Sequence, residues 1–583
     1  MRTRAGAAVA DPILLLGILL GGAARAHDYD ELGALEKEAV DQVLRARGLE
    51  IEYHPEGKTI GAIRVENLEV FTERDGCTLM WFNRFHVTTR AGVIAREVLV
   101  RPGQVWDQER VDETRRGLRD PFLSNAVVLL PVKGARPETV DLLVVTRDVW
   151  SLRLNNNFEI QDGQLTLLLF SLTETNLFGW RKKLAFGFIM DQGSIEIGPA
   201  YIDRNIAGTR LTLTTSARAI LSRADGSFAG TRSRSELAYP LWSLASKWGA
   251  SVTVDHYDAP VAAYRGTGVR TWDNPDTAVE EMVPVVYHYR TVRARTSGVR
   301  SFGTTVKQLV SAGHELDLTR PSFLDGFLSD PVLRAAFARD RFGRDELASA
   351  LFLRYRLFTP VFAALRDLET FDFREDLPLG PMVDLRAAAA RTELGSDRDF
   401  GELSAAAQYG QTWRGGYARA AAAWSTRLEG GEAIDTLVQG ELYAASPKLG
   451  RLGRVVASAE VGRYFDATAN QGFTLGGDSG LRGYRIGAFP EVGLRGDTRV
   501  LTHVELRTLP LKIMWWRLGA VAFWDMGHAA DFAALDLKHD VGLGARTLIP
   551  QFDTIVFRLD AAVPLDGPTR GHPRLTLGAY QVF

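Results

Sequence analysis

One segment of the chain has a regular alternation of residue types: Thr209-Arg210-Leu211-Thr212-Leu213-Thr214-Thr215-Ser216-Ala217-Arg218-Ala219-Ile220-Leu221. Its odd-numbered positions are mostly leucine and alanine, whereas its even-numbered positions up to Arg218 are threonine, serine and arginine. Successive side chains of a β-strand point to opposite faces of the sheet, so this alternation predicts a strand with one apolar and one polar face. The pattern therefore indicates a sheet that separates two different surroundings.

The same alternation recurs from residue 148 to residue 583. Residues 500–506 repeat it, with Leu501, His503 and Glu505 on the face opposite to valine, threonine and leucine. Segments of about ten residues with a polar inner and an apolar outer face are typical of a transmembrane β-barrel, which must close because lipid cannot satisfy an open sheet edge. We therefore predict a mainly β chain in which residues 148–583 form a large antiparallel transmembrane β-barrel with an even number of strands, about 16 to 20. A soluble β-sandwich has the same period and is the alternative.

The connections between these segments fall into two kinds. Short turns at residues 176–179 and 205–208 share the pattern Asn-x-x-Gly, and short turns belong on the periplasmic side of such a barrel. The longer stretches 257–284 and 319–348 are predicted to be surface loops, and residues 330–336 to hold a short helix.

The first and last strands of the barrel are predicted at residues 148–159 and 574–583. In the second segment Leu575, Leu577 and Phe583 fall on one face. Outer-membrane barrel proteins commonly end in this way, so Tyr580 and Phe583 are interpreted as a C-terminal signal that the assembly machinery reads.

Residues 1–26 have the features of a secretory signal peptide in the right order. Arg2 and Arg4 precede an apolar run at residues 13–20, and Ala24 and Ala26 occupy the positions that a signal peptidase reads. A short buried helix is the alternative. Residues 27–57 are predicted to be an amphipathic helix, at residues 28–47, and a linker. This helix either caps the next domain or serves as a plug or a partner-binding arm.

Residues 58–147 predict one compact α/β unit. Its strands are expected near residues 60–65, 126–132 and 140–146, and its helices at residues 89–97 and from an N-cap at Asp107 to Leu118. The order β-α-α-β-β resembles a POTRA domain, the periplasmic module of outer-membrane assembly and secretion proteins. By this resemblance, an edge strand of the domain could pair with an extended client peptide. Cys77 is interpreted either as a small apolar filler or as a reactive thiol.

A glycine-rich loop and a later strand carry the chemistry of the barrel region. The loop reads Gly476-Gly477-Asp478-Ser479-Gly480-Leu481-Arg482-Gly483-Tyr484, and the strand contains Phe523-Trp524-Asp525-Met526-Gly527. Asp525 shares a face with Phe523, which we take as inward. An arginine inside a wide barrel needs a counter-charge, so Arg482 is expected to form a bidentate pair with Asp525. Gly480 and Gly483 would let the loop turn tightly, and Tyr484 would pack against the inner face.

Together, the loop and the strand resemble the BamA/TamA/FhaC superfamily of outer-membrane insertases and translocases. The resemblance covers residues 58–583. It implies a lumen loop motif of Gly480, Leu481, Arg482, Gly483 and Tyr484 that is anchored by Phe523, Asp525 and Gly527. It also implies about 16 strands and a weakly paired seam between the first and last strands that opens sideways. The loop either braces the barrel or takes a direct part in client passage.

Composition excludes several classes of protein. The 583 residues are 46% hydrophobic and 24% charged, which excludes a disordered chain. A mean hydropathy of -0.07 excludes a bundle of membrane helices. A net charge of -2 provides no basic excess for nucleic acid, and the single Cys77 cannot form an internal disulfide.

No motif in the sequence indicates catalysis. Residues 477–480 match the sequence around the nucleophile of a serine protease, but the histidine segment that such an enzyme needs is missing. No phosphate-binding loop, metalloprotease motif or nucleophile elbow occurs. We therefore expect neither an enzyme nor a cofactor or metal site.

The predicted function is the insertion or translocation of unfolded outer-membrane or secreted client proteins at the bacterial outer membrane. The barrel would be integral to the lipid bilayer and the POTRA-like domain would lie in the periplasm, where chaperones or accessory lipoproteins are further expected partners. Two alternatives remain. One is a two-partner secretion pore that exports one dedicated protein, and the other is a passive pore or structural surface protein.

Overall fold

The computed structural model describes Tyr29 and the following ranges: 32–119, 123–161, 164–265, 268–278, 280–468, 471–477, 480–491, 493–550, 556–579 and 581–583. The predicted signal peptide at residues 1–26, the loop residues Asp478 and Ser479, and Tyr580 lie outside the described residues. None of the described helices combines the length and the apolar composition that a membrane-crossing helix needs.

The N-terminal domain is a three-stranded sheet between helices. Its strands are β1 (Thr59–Leu68), β2 (Ser124–Lys133) and β3 (Thr139–Asp148), in the order β1-β3-β2. Strand β3 pairs in parallel with β1 and antiparallel with β2. The helices are α1 (Ala34–Arg47), α2 (Cys77–Phe82), α3 (Ala91–Ala95) and α4 (Gln108–Leu118). Helix α4 begins after Asp107, whose side chain accepts a hydrogen bond from the Arg110 N–H at 3.2 Å.

Both faces of this small sheet are covered because β2 and β3 alternate between two apolar sets. Val127 and Leu129 pack with Ile94 and Val111 from α3 and α4 on one face. Val128, Leu130 and Leu143 pack with Val40 and Val43 of α1 on the other face. Helix α1 is therefore a cap on this domain, and the plug alternative does not describe its position.

The large sheet begins at β4 and runs to the end of the chain. Its elements in chain order, with the short hairpin strands β11 to β14 included, are β4 (Leu152–Gln161), β5 (Gln164–Glu174), β6 (Lys183–Met190), β7 (Ser194–Asp203), β8 (Thr212–Ser222), β9 (Phe228–Tyr239), β10 (Trp248–Ala262), β11 (Tyr264–Arg265), β12 (Gly268–Val269), β13 (Thr271–Trp272), β14 (Val283–Pro284), β15 (Val286–Phe302), β16 (Lys307–Ser322), β17 (Glu346–Phe358), β18 (Val361–Arg366), β19 (Arg374–Ala390), β20 (Phe400–Trp413), β21 (Gly416–Glu429), β22 (Glu432–Ala445), β23 (Arg454–Phe465), β24 (Thr498–Arg507), β25 (Leu511–Ile513), β26 (Trp516–Ala530), β27 (Lys538–Leu548), β28 (Phe557–Pro564) and β29 (Arg574–Ala579). Most strands of this sheet pair antiparallel with the next strand in the chain, β10 pairs with β15 across the short hairpins, and the strand order returns from β29 to β4.

The described part of this sheet has 22 strands, which is two more than the upper end of the predicted range of 16 to 20. The difference comes from two interrupted strands. Strands β17 and β18 both pair with β19, and β24 and β25 both pair with β26. The interruptions contain Pro360 and Pro510, which have no N–H to donate to a ladder. When each interrupted pair is counted as one, the sheet has 20 positions.

The connections differ from the predicted loops in extent. Strand β10 continues to Ala262, so the first part of the stretch 257–284 is strand, and the rest forms two short hairpins. The second long connection contains helix α5 (Pro331–Arg341), whose N-cap Asp330 accepts from the Val332 N–H at 2.8 Å. Phe337 of α5 packs with Trp272 and Val283 of the hairpins, so the two connections form one cap.

Outward and inward faces follow the alternation of the sequence. Leu351, Leu353 and Leu543 are 55%, 56% and 69% exposed on one face. On the other face Arg354 and Arg356 both contact Asp384, at 2.7 Å and 2.8 Å. The described sheet thus has an apolar outer and a charged inner face.

The N-terminal domain contacts one end of the large sheet, at the short turns. The Asn176 side-chain amide donates to the Val87 carbonyl at 2.9 Å, and Arg210 pairs with Glu97 at 2.7 Å. The Leu244 N–H donates to Glu113 at 2.6 Å. The turns at 176–179 and 205–208 therefore lie at the same end as this domain.

A hairpin at this end turns into the interior. Its tip, residues 367–373 between β18 and β19, is called the lumenal hairpin below. Phe371 packs with Leu548 and Val556, and Leu368 packs with Tyr443, across the sheet ring. The strands that carry the hairpin also contact the N-terminal domain through two ion pairs. Arg366 pairs with Glu36 of α1 at 3.6 Å, and Asp376 pairs with Arg119, which follows α4, at 3.4 Å.

Candidate functional site

The connection between β23 and β24 folds from the opposite end onto the inner face. Leu475 pairs with Phe489 across it, and the Gly477 N–H donates to the Leu481 and Tyr484 carbonyls at 3.1 Å and 3.0 Å. A Cβ atom at Gly480 would lie 2.7 Å from Leu475. The Leu475 atom concerned is a terminal methyl carbon that can move aside, so space does not require glycine at Gly480. Gly476 and Gly477, with φ of 121° and 83°, are the positions of this turn where the backbone favours glycine.

Arg482 is fully buried and lies at the centre of the site. Its Nε and Nη2 atoms both donate to Asp525, each at 2.7 Å, in a bidentate pair. Its Nη1 atom donates to Glu505 at 2.7 Å and lies 3.5 Å from Asp560. The guanidinium thereby joins one loop to β24, β26 and β28. Charge-assisted bonds of this geometry are strong and directional.

The other two residues of the strand motif make room and contact for the loop. The ring centroid of Phe523 lies 3.4 Å below the Arg482 guanidinium, in a cation–π contact. At Gly527 a Cβ atom would lie 2.5 Å from the Val500 carbonyl and 3.0 Å from Leu475 of the loop. Phe523, Asp525 and Gly527 therefore contact the loop by stacking, by charge and by close approach, respectively.

The remaining loop residues are held by β27 and by apolar packing. The Gly483 N–H donates to Asp540 at 2.9 Å, and a Cβ atom at Gly483 would lie 2.8 Å from the Asp540 Cβ. The Tyr484 hydroxyl donates to the His539 carbonyl at 3.1 Å. Leu481 is fully buried beside Leu475 and Leu501. The loop cannot shift without losing several of these contacts together.

Sequence reasoning missed most of the charges around Arg482. These are the buried residues His503, Glu505, Arg507, Asp540, Arg546, Arg558 and Asp560. Asp560 bonds to Arg546 at 2.5 Å and to Arg558 at 2.9 Å, and His503 contacts Asp525 at 2.8 Å. A signal was present, because charged residues occupy alternate positions of β24 and β28 on the inward face. Burial of so many charges is tolerated only because they pair with one another.

Arg507 connects this network to the other two segments in the interior. Its Nε atom donates to Glu505 at 2.7 Å, and its Nη1 atom donates to the Leu368 carbonyl of the lumenal hairpin at 3.0 Å. Its Nη2 atom donates to the Phe583 carbonyl at 3.2 Å. The connection between β23 and β24 is called the outer loop below. Arg507 thus contacts Glu505, which also binds Arg482 of the outer loop, as well as the lumenal hairpin and residues 581–583.

Phe583 does not lie on the face of Leu575 and Leu577, so the predicted shared face is wrong, whereas the C-terminal signal itself stays a prediction. Strand β29 ends at Ala579, and the Phe583 ring stacks on buried His503, with ring centroids 4.9 Å apart. Because β29 ends before Phe583, the alternation of the strand no longer sets the direction of this side chain. Its ring lies on the inner face instead, where it contacts the His503 ring and the Arg507 guanidinium. Tyr580, the other residue of this prediction, lies outside the described residues.

The described residues contain no cluster of three or more His, Cys, Asp or Glu side chains that could hold a metal ion. Cys77 is exposed at the first position of α2.

Comparison with known proteins gives structural matches only. No protein-family model matches the sequence, and no curated protein matches it. Among solved structures, the chain is similar to BamA from Haemophilus ducreyi lacking POTRA domains 1–3, at 11% identity and a TM-score of 0.34, over 97% of both chains. It is similar to CdiB from Acinetobacter baumannii at 12% identity and a TM-score of 0.39, over 90% of this chain and 74% of that chain.

The FrpB iron transporter from Neisseria meningitidis matches at 9% identity and a TM-score of 0.36, over 97% of this chain and 98% of that chain. Because all three TM-scores lie below 0.5, the strand pairing described above, and not these similarities, defines the fold.

Proposed function

We propose that this chain is an outer-membrane β-barrel that inserts or translocates client proteins, with the N-terminal domain in the periplasm as the site where clients dock. The observation that carries the proposal is the Arg482 network, which holds an outer loop inside the lumen against β24, β26 and β28. A passive pore needs an open lumen, whereas this lumen contains a loop, a hairpin and residues 581–583. The filled lumen therefore favours a protein-handling barrel over a passive pore.

The membrane position is supported by the two faces of the sheet. Leucines with more than half of their surface exposed lie outward, among them Leu353, Leu543 and Leu575. Outward apolar and inward charged residues are the arrangement of a lipid-embedded barrel. The closed transmembrane barrel, in place of a soluble sandwich, is therefore part of this proposal.

The seam between β29 and β4 is proposed as the place where a client strand enters or leaves. Strand β29 has 6 residues, whereas β22 and β10 have 14 and 15. A short ladder has fewer hydrogen bonds to break, each worth roughly 0.5–1.5 kcal/mol net in water and more in lipid. The Arg482 network braces the neighbouring strands, so that opening would be confined to the seam.

Client docking is proposed at the outer edge of β1. The edge of β2 is covered, since the Lys133 N–H donates to the Glu50 carbonyl at 2.9 Å and Arg115 donates to the Leu129 carbonyl at 3.2 Å. Residues 63–68 of β1 pair with no further strand among the described residues. An unpaired edge can add an extended peptide as a new strand. Periplasmic chaperones or accessory lipoproteins would deliver clients to this edge.

Crosslinking in cells tests this function. Cysteine is introduced at Glu66 on the β1 edge, in a Cys77→Ser background, and trapped partners are identified. Tyr53→Cys, on the same domain but outside β1, is the matched control. We expect many barrel precursors at Glu66→Cys and few at Tyr53→Cys. One large secreted protein would instead identify dedicated export, and equal trapping at both positions would contradict docking on β1.

A further inference from the structure

An apolar patch projects from the N-terminal domain between β1 and α3. It consists of Met80, Trp81, Phe85 and Val87 and is called the rim patch below. Trp81, Phe85 and Val87 are 51%, 63% and 53% exposed. The Trp81 and Phe85 rings meet edge to face, with centroids 4.7 Å apart. Clustered exposed aromatic residues are uncommon on a water-facing surface and mark a surface that contacts something else.

The exposure of the rim patch is fixed by the fold of its segment. The Asn83 side chain accepts from the Phe71 N–H at 3.1 Å and donates to the Phe71 carbonyl at 2.9 Å. On the inner side, Phe82 packs edge to face on Trp150, with centroids 5.7 Å apart, and Trp515 joins the same cluster. The aromatic residues of this segment are therefore divided into a buried set and an outward set.

The rim patch continues onto the outer face of the large sheet. Next to Val87 lies the turn between β5 and β6, where Phe178 is 67% exposed; the Arg90 side chain donates to the Phe178 carbonyl at 3.2 Å. Leu172 of β5 and Leu184 of β6 follow on the outward face. The patch and the apolar belt of the sheet thus form one surface.

Arginine side chains lie among these rings. The Arg90 guanidinium is 4.4 Å from the Trp180 ring centroid, and the Arg96 guanidinium is 5.9 Å from it. Aromatic rings concentrate at the headgroup level of a bilayer, and cations there meet lipid phosphates. Rings and arginines also occur together at protein interfaces, so the observation that favours the headgroup layer is the continuity of the rim patch with the apolar outer face of the sheet.

We propose that the rim patch is a second membrane contact, which places α2 in the headgroup layer of the leaflet nearest the N-terminal domain. The partner is a phospholipid surface. This inference rests on the proposed transmembrane barrel and extends it, because it fixes the N-terminal domain against the bilayer at a site outside the barrel. An interfacial segment of this kind gains stability from buried apolar area.

The native Cys77 allows a direct test on the full-length protein, because it is the single cysteine of the chain and is exposed beside the patch. A bimane fluorophore is attached to Cys77, and the protein is reconstituted in phosphocholine vesicles with and without a headgroup nitroxide lipid. We expect strong quenching at Cys77. The double variant Trp81→Ala/Phe85→Ala should lose this quenching, whereas the matched control Tyr53→Ala, which removes another exposed aromatic, should keep it.

Two further labels, each in a Cys77→Ser background, separate this inference from the proposed function. Leu543→Cys on the outward face of β27 should be quenched by an acyl-chain nitroxide, and Tyr53→Cys should not be quenched by either lipid. If Leu543→Cys is quenched but Cys77 is not, the rim patch inference is wrong and the barrel stands. If Leu543→Cys is not quenched, the proposed transmembrane barrel itself is wrong. Quenching at Cys77 that survives Trp81→Ala/Phe85→Ala would also overturn the inference.

Discussion

At the residue scale, Arg482 has three carboxylate partners within 3.5 Å and an aromatic ring beneath it. Arg482 and its three carboxylate partners have no exposed surface. Removing one partner of such a buried cluster is costly because the remaining charges stay buried without compensation. The loop therefore has one position and not a range of positions.

We predict that Arg482→Ala destabilises the protein by about 3–5 kcal/mol, because Asp525 and Glu505 lose their shared counter-charge in a buried site. Arg482→Lys should be intermediate, since it keeps the charge but not the bidentate geometry. Denaturant unfolding in detergent or vesicles measures both.

Arg398→Ala is the matched control for this prediction. Arg398 pairs with Glu429 at 3.3 Å, but its side chain is 63% exposed. Exposed pairs contribute roughly 0–1 kcal/mol. If Arg398→Ala and Arg482→Ala had equal effects, the Arg482 network would not be the anchor described here.

The pairing of Arg482 with Asp525 could be anticipated from the sequence because both residues belong to recognisable motifs. The contacts with Glu505 and Asp560 could not, since they depend on the register between distant strands. A single sequence shows which residues face inward, but it does not show which of them lie opposite one another. The face of the Phe583 side chain was predicted wrongly for a related reason, because side chains alternate between faces only while the strand continues.

At the element scale, the lumenal hairpin is fastened to the opposite wall by charge. Asp372 accepts from Arg517 at 2.5 Å and pairs with Lys512 at 2.9 Å. Burial acts to raise the pKa of Asp372, but the hydrogen bonds from Arg517 and Lys512 outweigh it and hold this pKa below its ordinary value of about 3.8. The ionised carboxylate is therefore the form that holds the hairpin.

A lowered pKa in the folded state gives a stabilising contribution that is present above the ordinary carboxyl range and is lost as the pH falls through it. We predict that the wild-type protein has a higher thermal unfolding midpoint than the Asp372→Asn variant at neutral pH. The difference between the two midpoints should shrink as the pH falls below about 3.8. Thermal unfolding over a pH series measures this. A difference that is independent of pH would contradict the assigned role of the carboxylate.

Most elements could be predicted from alternation and caps, including α4, α5 and the strands of the N-terminal domain. The interruptions in β17/β18 and β24/β25 also had a signal, because Pro360 and Pro510 stand where a continuous ladder would need donors. The lumenal hairpin had no such signal. Its flanking strands alternate like any wall strand, and only the packing of Phe371 against the opposite wall reveals that the tip turns inward.

At the scale of the whole molecule, segments from both ends of the sheet meet at Arg507. The outer loop reaches it through Glu505, the lumenal hairpin through Leu368, and residues 581–583 through Phe583. The interior is therefore closed by segments that support one another and not by a single plug.

We predict that Arg507→Gln raises ion conductance across planar bilayers several-fold, because it removes the one side chain that bonds to both the lumenal hairpin and Phe583 and so loosens the packing between them. Arg293→Gln is the matched control. Arg293 pairs with Asp317 at 2.8 Å and, within the described residues, makes no hydrogen bond to the outer loop, the lumenal hairpin or residues 581–583. Equal conductance in the two variants would mean that Arg507 does not hold the lumen closed.

The two ion pairs between the N-terminal domain and the strands of the lumenal hairpin have a mechanical consequence. Glu36 forms an ion pair with Arg366 on β18, and Arg119 forms one with Asp376 on β19, so both strands of the hairpin are attached to the domain. The N-terminal domain and the lumenal hairpin are thus mechanically coupled at the end of the sheet where the domain sits. Any tilt of the N-terminal domain must therefore either break these two ion pairs or move the lumenal hairpin away from Arg507.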